Sequence, residues 1–247
     1  MNQTSPSLAG IGETAVGVAA LRALENDRQD RLFHDPYAER FVAAVAADGY
    51  WEKAPSGWTA FAELMAGQVA VRTRYLDEAL LRAAAAGCGQ VVLLACGMDA
   101  RAYRLGWPVG TRVFEVDFAE VLAFKAGVLK GAEPLCERVE VPSDLRFDWP
   151  RELRDAGFSP ARPAAWLAEG ILYALPADAA DLLLDRITEI SAAGSALVAD
   201  HARDNPALRA VRAAISADLA DLWHGGPDQD LDRWLREKGW TAEVRDV

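Results

Sequence analysis

The chain has 247 residues, 51% hydrophobic and 26% charged, the composition of an ordinary soluble globular protein able to bury roughly 70 to 75% of its unfolded surface. A formal net charge of −11 with no basic run argues against a nucleic-acid partner, whose phosphates such a surface repels. The polar N-terminus has no signal-peptide pattern and no apolar run nears the roughly 20 residues a bilayer requires, so the expectation is a cytoplasmic protein with no membrane partner.

Met1 to Gly12 is polar and glycine-bearing, and is expected to stay loose unless a ligand or the rest of the protein orders it. Thr14 is placed to open an alanine-rich helix running to about Glu25. Asp35-Pro36, a capping acid followed by proline, predicts a second helix that ends before Asp48-Gly49. These helices precede any strand signal and are candidates for a lid. A loop holding Trp51, Pro55, Gly57 and Trp58 leads to a long helical stretch, Thr59 to Ala86, with a break expected near Gly67 and an end at Gly87. It carries Arg72 and Arg74.

Val91 to Cys96 is short, apolar on both alternating faces and rich in β-branched residues, which suits a strand buried between two helical layers. It stops at Gly97, where the absent Cβ permits a sharp turn and a close approach of backbone to a bound molecule. Asp99 is placed to cap the helix that follows. A second apolar strand, Arg112 to Val116, ends in Asp117, and Glu115 and Asp117 share one side if the strand runs to its end. Beyond it the pattern alternates. Helices are expected over Phe118 to Leu129, from Trp149-Pro150 to Gly157, over Ala177 to Ile190 and over Leu231 to Lys238. Strands are expected over Arg138 to Val141, Ala164 to Ala168 and Ser195 to Ala199, with Thr241 to Val247 as a last element. Such alternation builds an α/β, doubly wound, mostly parallel sheet covered on both faces, with no repeat, linker or second domain in view.

Asp117, Asp144, Glu169 and Asp200 each sit at or just past the carboxyl end of a predicted strand, the edge along which open α/β sheets bind ligands. A strand, a glycine turn, a helix and a second strand ending in an acid form a nucleoside-binding unit in which the acid accepts ribose hydroxyls. Ala95 to Ala100 approaches a dinucleotide fingerprint, yet has alanine for the first glycine and an acid where a pyrophosphate would sit. S-adenosylmethionine carries no phosphate, its sulfonium is favoured by nearby acids, and an upstream arginine can hold its carboxylate by a charge-assisted pair. Cys88, Cys96 and Cys136 are too scattered for a disulfide framework or a metal knuckle, and His34, His201 and His224 lack ligand spacing, so no metal is expected.

Taken in order, ETAVGVAALRALE with HDPYAERFV, RTRYLDEAL, LLACGMDARAYRL, FEVDFAEVLAFK, VPSDLRFDW and WLAEGIL resemble the leucine carboxyl methyltransferase family. The match is nearest to its bacterial branch of S-adenosylmethionine-dependent O-methyltransferases, some of which modify polyketides and related metabolites. The resemblance covers nearly the whole chain. It implies a class I, Rossmann-like methyltransferase fold as one domain, residues 1–87 forming an N-terminal helical lid and 88–247 the cofactor-binding core. By the same resemblance Arg72 holds the methionine carboxylate of S-adenosyl-L-methionine, Ala95 to Gly97 lie beneath the methionine portion, and Asp117 takes the ribose. Asp144 and Leu145 flank the adenine, and Glu169 faces the amino-acid end of the cofactor.

The sequence departs from the family pattern in three places. The family loop reads Gly-x-Gly, and Ala95 adds a methyl group there. Ala174 stands where the family often has a tyrosine, with Tyr173 beside it. The family fold also carries a further strand after the point where this sequence stops at Val247, so either the sheet edge is unusual or the sequence is shortened. The expected reaction is an in-line displacement at the methyl carbon with a small-molecule acceptor. A carboxylate acceptor needs no base, whereas a phenol would, and Tyr173 and His201 are the nearest to one the sequence offers, so no catalytic residue is assigned. Two alternatives are a non-catalytic, cofactor-binding or regulatory protein of the same fold and an NAD-dependent oxidoreductase.

Overall fold

The computed structural model describes residues 11–46, 58–201, 226 and 230–245. The expectations for Met1 to Gly10, for Trp51, Pro55 and Gly57, and for His224 lie outside the described residues.

Five parallel strands form one sheet in the order β3-β2-β1-β4-β5. They are β1 (Gln90–Leu94), β2 (Arg112–Asp117), β3 (Glu137–Pro142), β4 (Ala164–Ala168) and β5 (Ala196–Ala199). The chain steps outward from β1 to β3, then returns to the other side of β1 for β4 and β5. The reversal between β1 and β4 is the switch point at which ligands of such sheets bind. Register aligns the strands' carboxyl ends: Leu94 pairs with Val116, Asp117 with Pro142, Leu93 with Leu167, and Ala168 with Ala199.

Helices cover both faces. On one face Val91, Leu93, Val113, Ala165 and Leu167 pack with α1 (Ile11–Asn26), α2 (Ala38–Ala46), α3 (Trp58–Ala85) and α5 (Ala119–Val128). On the other, Val92, Leu94, Phe114, Val116, Trp166 and Ala168 pack with α6 (Trp149–Asp155), α7 (Ala177–Glu189) and α8 (Leu231–Glu237). Alternate residues of each strand thus enter different cores, which is why β1 and β4 carry no polar residue between Val91 and Ala168 within their spans. Trp234 sits in the second core and Trp240 packs against it, donating from Nε1 to Thr188 Oγ1 at 2.9 Å, so both are packing residues.

Several boundaries differ from the sequence expectation, each for a local reason. β1 ends at Leu94, not Cys96, because Ala95 turns into the left-handed region with φ 48°. α1 begins at Ile11, which puts Thr14 inside the helix and not at its start. α3 runs unbroken through Gly67, since one glycine costs a helix only about 1 kcal/mol against Ala. Asp35 does open α2: its Oδ1 accepts from the amides of Tyr37 and Ala38. Residues 241–245 are neither helix nor strand.

Candidate functional site

The turn after β1 and the end of β2 are joined directly. Gly97 N–H donates to Asp117 Oδ2 at 2.7 Å, Phe118 N–H donates to Asp117 Oδ1 at 2.8 Å, and Ser143 N–H donates to the Asp117 carbonyl at 2.8 Å. Each carboxylate oxygen therefore has one amide and one remaining side for another donor. Burial pushes the Asp117 carboxyl above its ordinary value, with the Gly97 and Phe118 amides and Lys125 working the other way. Ala95 and Gly97 both have positive φ, 48° and 46°, on either side of Cys96. Two left-handed positions one residue apart explain why a Gly-x-Gly pattern suits this loop and why Ala95 is a strained substitute. Gly97 has a second reason: a Cβ there would lie 2.7 Å from Cβ of Ala15, so α1 packs directly on the turn.

Glu115 lies two residues before Asp117 on the same pleat, as expected, but serves a separate purpose. It is fully buried, 2.9 Å from Lys125 Nζ of α5 and 2.6 Å from Arg138 Nη2 of β3. Burial works against the Lys125 charge, and Cys96, Glu115 and Asp99 more than restore it.

On the other side of β1 a buried ionic network gathers the covering helices onto the sheet edge. Glu169, just past β4, accepts from Arg22 of α1 at 2.9 Å and from Arg101 at 2.6 Å, and Arg72 Nε of α3 lies 3.2 Å away. Burial opposes the Glu169 charge, but Arg101, Arg22 and Arg72 outweigh it and hold the carboxyl well below the usual range. Arg101 opens α4 (Arg101–Arg104) and also binds Asp99 and Asp77, the latter at 2.6 Å. The cap position of that helix is Ala100 and not the expected Asp99, which stands one residue earlier and accepts the Arg101 amide on Oδ1 at 2.7 Å. Arg104 completes the chain of pairs to Asp77 at 2.5 Å and to Asp35 at 3.7 Å. Asp200, just past β5, binds Arg72 Nη1 at 2.9 Å and accepts the Gly170 amide at 2.6 Å.

The four strand-end acids thus stand along one edge in the spatial order Asp144, Asp117, Glu169, Asp200, with Ala95 to Gly97 between the second and third. Arg72, Glu169 and Asp200 are brought into contact, and so are Gly97 and Asp117. Asp144 joins neither group and pairs instead with Arg146, at 2.6 Å, whose hydrogen bonds lower its carboxyl. Leu145 packs against the second core, and its carbonyl accepts from Arg186 Nη1 at 3.3 Å. Tyr173, on the short 3-10 turn Leu172–Ala174, hydrogen-bonds Arg72.

Sequence reading missed Arg22, Arg101 and Asp77. Each had a signal. Arg22 follows Val16 and Ala19 on an apolar helical face, and Asp77 lies among Thr73, Leu80 and Ala84 on another, so both are charges on buried stripes and must meet an opposite charge.

The donor set suits an anionic, hydroxyl-bearing ligand. Arg22 Nε and Arg101 Nη2 are buried guanidinium nitrogens with no hydrogen-bond partner among the described residues, as is Ser143 Oγ beside Asp117. The first two fit a carboxylate, and Ser143 with Asp117 fits ribose or base polar atoms. Among the described residues no three His, Cys, Asp or Glu side chains gather as a metal site, and no helix is long and apolar enough to cross a membrane.

The family model described as leucine carboxyl methyltransferase matches residues 15–188. A relative from Mycolicibacterium smegmatis, named as a candidate S-adenosyl-L-methionine-dependent methyltransferase, is 47% identical over 255 residues, covering 95% of this chain and 85% of its own. One of the same description from Parafrankia sp. is 48% identical over 246 residues, covering 96% of this chain and 79% of its own. A crystal structure of a DUF574 family protein from Streptomyces avermitilis has the same fold, with a TM-score of 0.54 at 15% identity over 96% of this chain and 81% of that one.

Proposed function

The chain belongs to the leucine carboxyl methyltransferase family, and from that premise we propose that it transfers the methyl group of S-adenosylmethionine to an oxygen of a small-molecule acceptor, a carboxylate or hydroxyl of a polyketide-like metabolite. The observation that carries the reading is the Asp117 carboxylate, fixed by Gly97 N–H at the switch-point edge with a side of each oxygen left for ribose hydroxyls. Asp144 and Leu145 are assigned to the adenine and Arg72 to the cofactor carboxylate. Ala95 to Gly97 are assigned to the floor beneath the methionine portion, and Glu169 to its amino-acid end. The bound cofactor supplies an electrophilic methyl group on a sulfonium.

The chain's own residues bind and orient. All four strand-end acids already have donors, Asp117 from amides and Asp144, Glu169 and Asp200 from arginines. That pairing favours a carboxylate acceptor, which is ionised at neutral pH with a pKa of about 4 and needs no base. Membership of a methyltransferase family leaves the nicotinamide alternative without support.

Thermal unfolding with S-adenosylmethionine and with NAD, followed by transfer of labelled methyl to a panel of carboxylic acids and phenols, tests the proposal. A ligand at about 100 times its Kd adds about 2.7 kcal/mol, so the first should raise Tm and the second should not. Binding without transfer to any acceptor would favour the non-catalytic alternative.

A further inference from the structure

Arg72 already has two carboxylates in the protein alone. Its Nε faces Glu169 Oε1 at 3.2 Å, its Nη1 faces Asp200 Oδ2 at 2.9 Å, and the Tyr173 hydroxyl bonds the same guanidinium. A cofactor carboxylate that pairs with Nε or Nη1 of Arg72 takes the place of the acid already facing that nitrogen. The two are not equivalent. Glu169 is shared by Arg22, Arg72 and Arg101, so moving it would break three charge-assisted contacts at once. Asp200 meets Arg72 alone among these cations, and its other oxygen stays anchored on the Gly170 amide at 2.6 Å. It is also the more open side chain, 16% exposed against 9% for Glu169.

We propose that Asp200 is an internal stand-in for the cofactor carboxylate: it occupies Arg72 in the ligand-free protein, keeps the guanidinium in place, and swings off on the Gly170 amide when the cofactor binds. Asp200 is then a positioning residue acting through Arg72. Its charge costs affinity for any ligand bearing the amino-acid end and costs nothing for one that lacks it. Burial pushes the Asp200 carboxyl above its ordinary value despite Arg72 and the Gly170 amide, in keeping with a weakly held partner.

The inference rests on the assignment of Arg72 to the cofactor carboxylate, and the test separates the two. The affinities of S-adenosylhomocysteine and of 5′-methylthioadenosine, which has the nucleoside thioether without the amino-acid end, are measured by calorimetry for the wild type, Asp200→Asn, Asp200→Ser and Asp200→Glu. Asp200→Asn is expected to bind S-adenosylhomocysteine about three- to thirty-fold tighter, less than a whole charge-assisted hydrogen bond because the amide oxygen still accepts from Arg72, with methylthioadenosine changed less than about twofold. Asp200→Ser carries the same expectation with a smaller side chain should the amide variant fold poorly, and Asp200→Glu should stay near the wild type. Weaker or unchanged binding of S-adenosylhomocysteine by the uncharged variants overturns the stand-in role, as does an equal gain for both ligands. A wild type that binds the two ligands equally overturns the Arg72 assignment and the inference with it. A wild type that binds neither overturns the cofactor reading itself.

Discussion

Gly97 and Asp117 lie twenty positions apart, yet the amide of one donates to the carboxylate of the other at 2.7 Å, tying the turn after β1 to the end of β2. The bond orients the carboxylate and gives the turn its shape together, so a change at Asp117 acts on both.

Asp117→Ala should lower affinity for S-adenosylmethionine about ten- to a hundredfold, the equivalent of a charged hydrogen bond of roughly 1.5 to 3 kcal/mol. Calorimetry on a variant shown to be folded measures it, and unchanged affinity would remove Asp117 from the ribose assignment.

Glu169 sets an acid limit on stability. Its folded-state carboxyl lies below the ordinary value of 4.5, so the unfolded chain binds the extra proton. The stability it contributes is present in full above about pH 4.5 and is lost as pH falls toward the folded-state value. Asp117 and Asp200 are shifted upward and act in the opposite sense, losing stability as pH rises from 3.8. Glu169→Gln isolates the first effect. Urea denaturation should show a loss on the order of 3 kcal/mol at pH 7 that shrinks as pH is lowered through 4, and a loss constant with pH would contradict the network.

Glu115→Ala should destabilise by about 3 to 5 kcal/mol, because it leaves the enclosed Lys125 and Arg138 without their shared carboxylate. Exchanging Glu115 and Lys125 together for Gln and Met should cost clearly less than the sum of the single changes. Denaturant midpoints across the double-mutant cycle decide it, and additive losses would mean the pair is not coupled.

Ala95→Gly should be neutral to stabilising by about 1 kcal/mol. The substitution removes the left-handed strain of a Cβ at φ 48°, offset in part by the greater freedom of glycine in the unfolded chain. Ala95→Val should lose stability instead, since a β-branched side chain tolerates that φ worst. Tm values for the three proteins give the order, and a valine variant as stable as the glycine one would refute it.

Much of the edge of the sheet is legible in the sequence. Val91 to Leu94 and Ala164 to Ala168 are apolar on both faces, and in so short a run only a doubly covered strand fits, which placed the Ala95 to Gly97 turn and Glu169 at carboxyl ends. Asp35 was legible as a cap because capping is local. The ionic network was not. Arg22 and Glu169 are 147 positions apart, and periodicity says where a charge lies on its helix but not which charge meets it across the fold. The early end of β1 was equally hidden, since alanine gives no sign that its backbone will turn left-handed.

Val16, Ala19 and Phe41 of the first two helices share one interior with Val91 and Leu93 of the central strand, and Arg22 is bolted to the rim from the same side. Cutting the chain before its third helix would therefore tear out part of the wall that the sheet leans on. The expected product is a protein prone to precipitation and digestion, not a working enzyme with a wider mouth. Grafting a different front end from a cousin to change what it accepts would need the matching arginine and small apolar residues carried along.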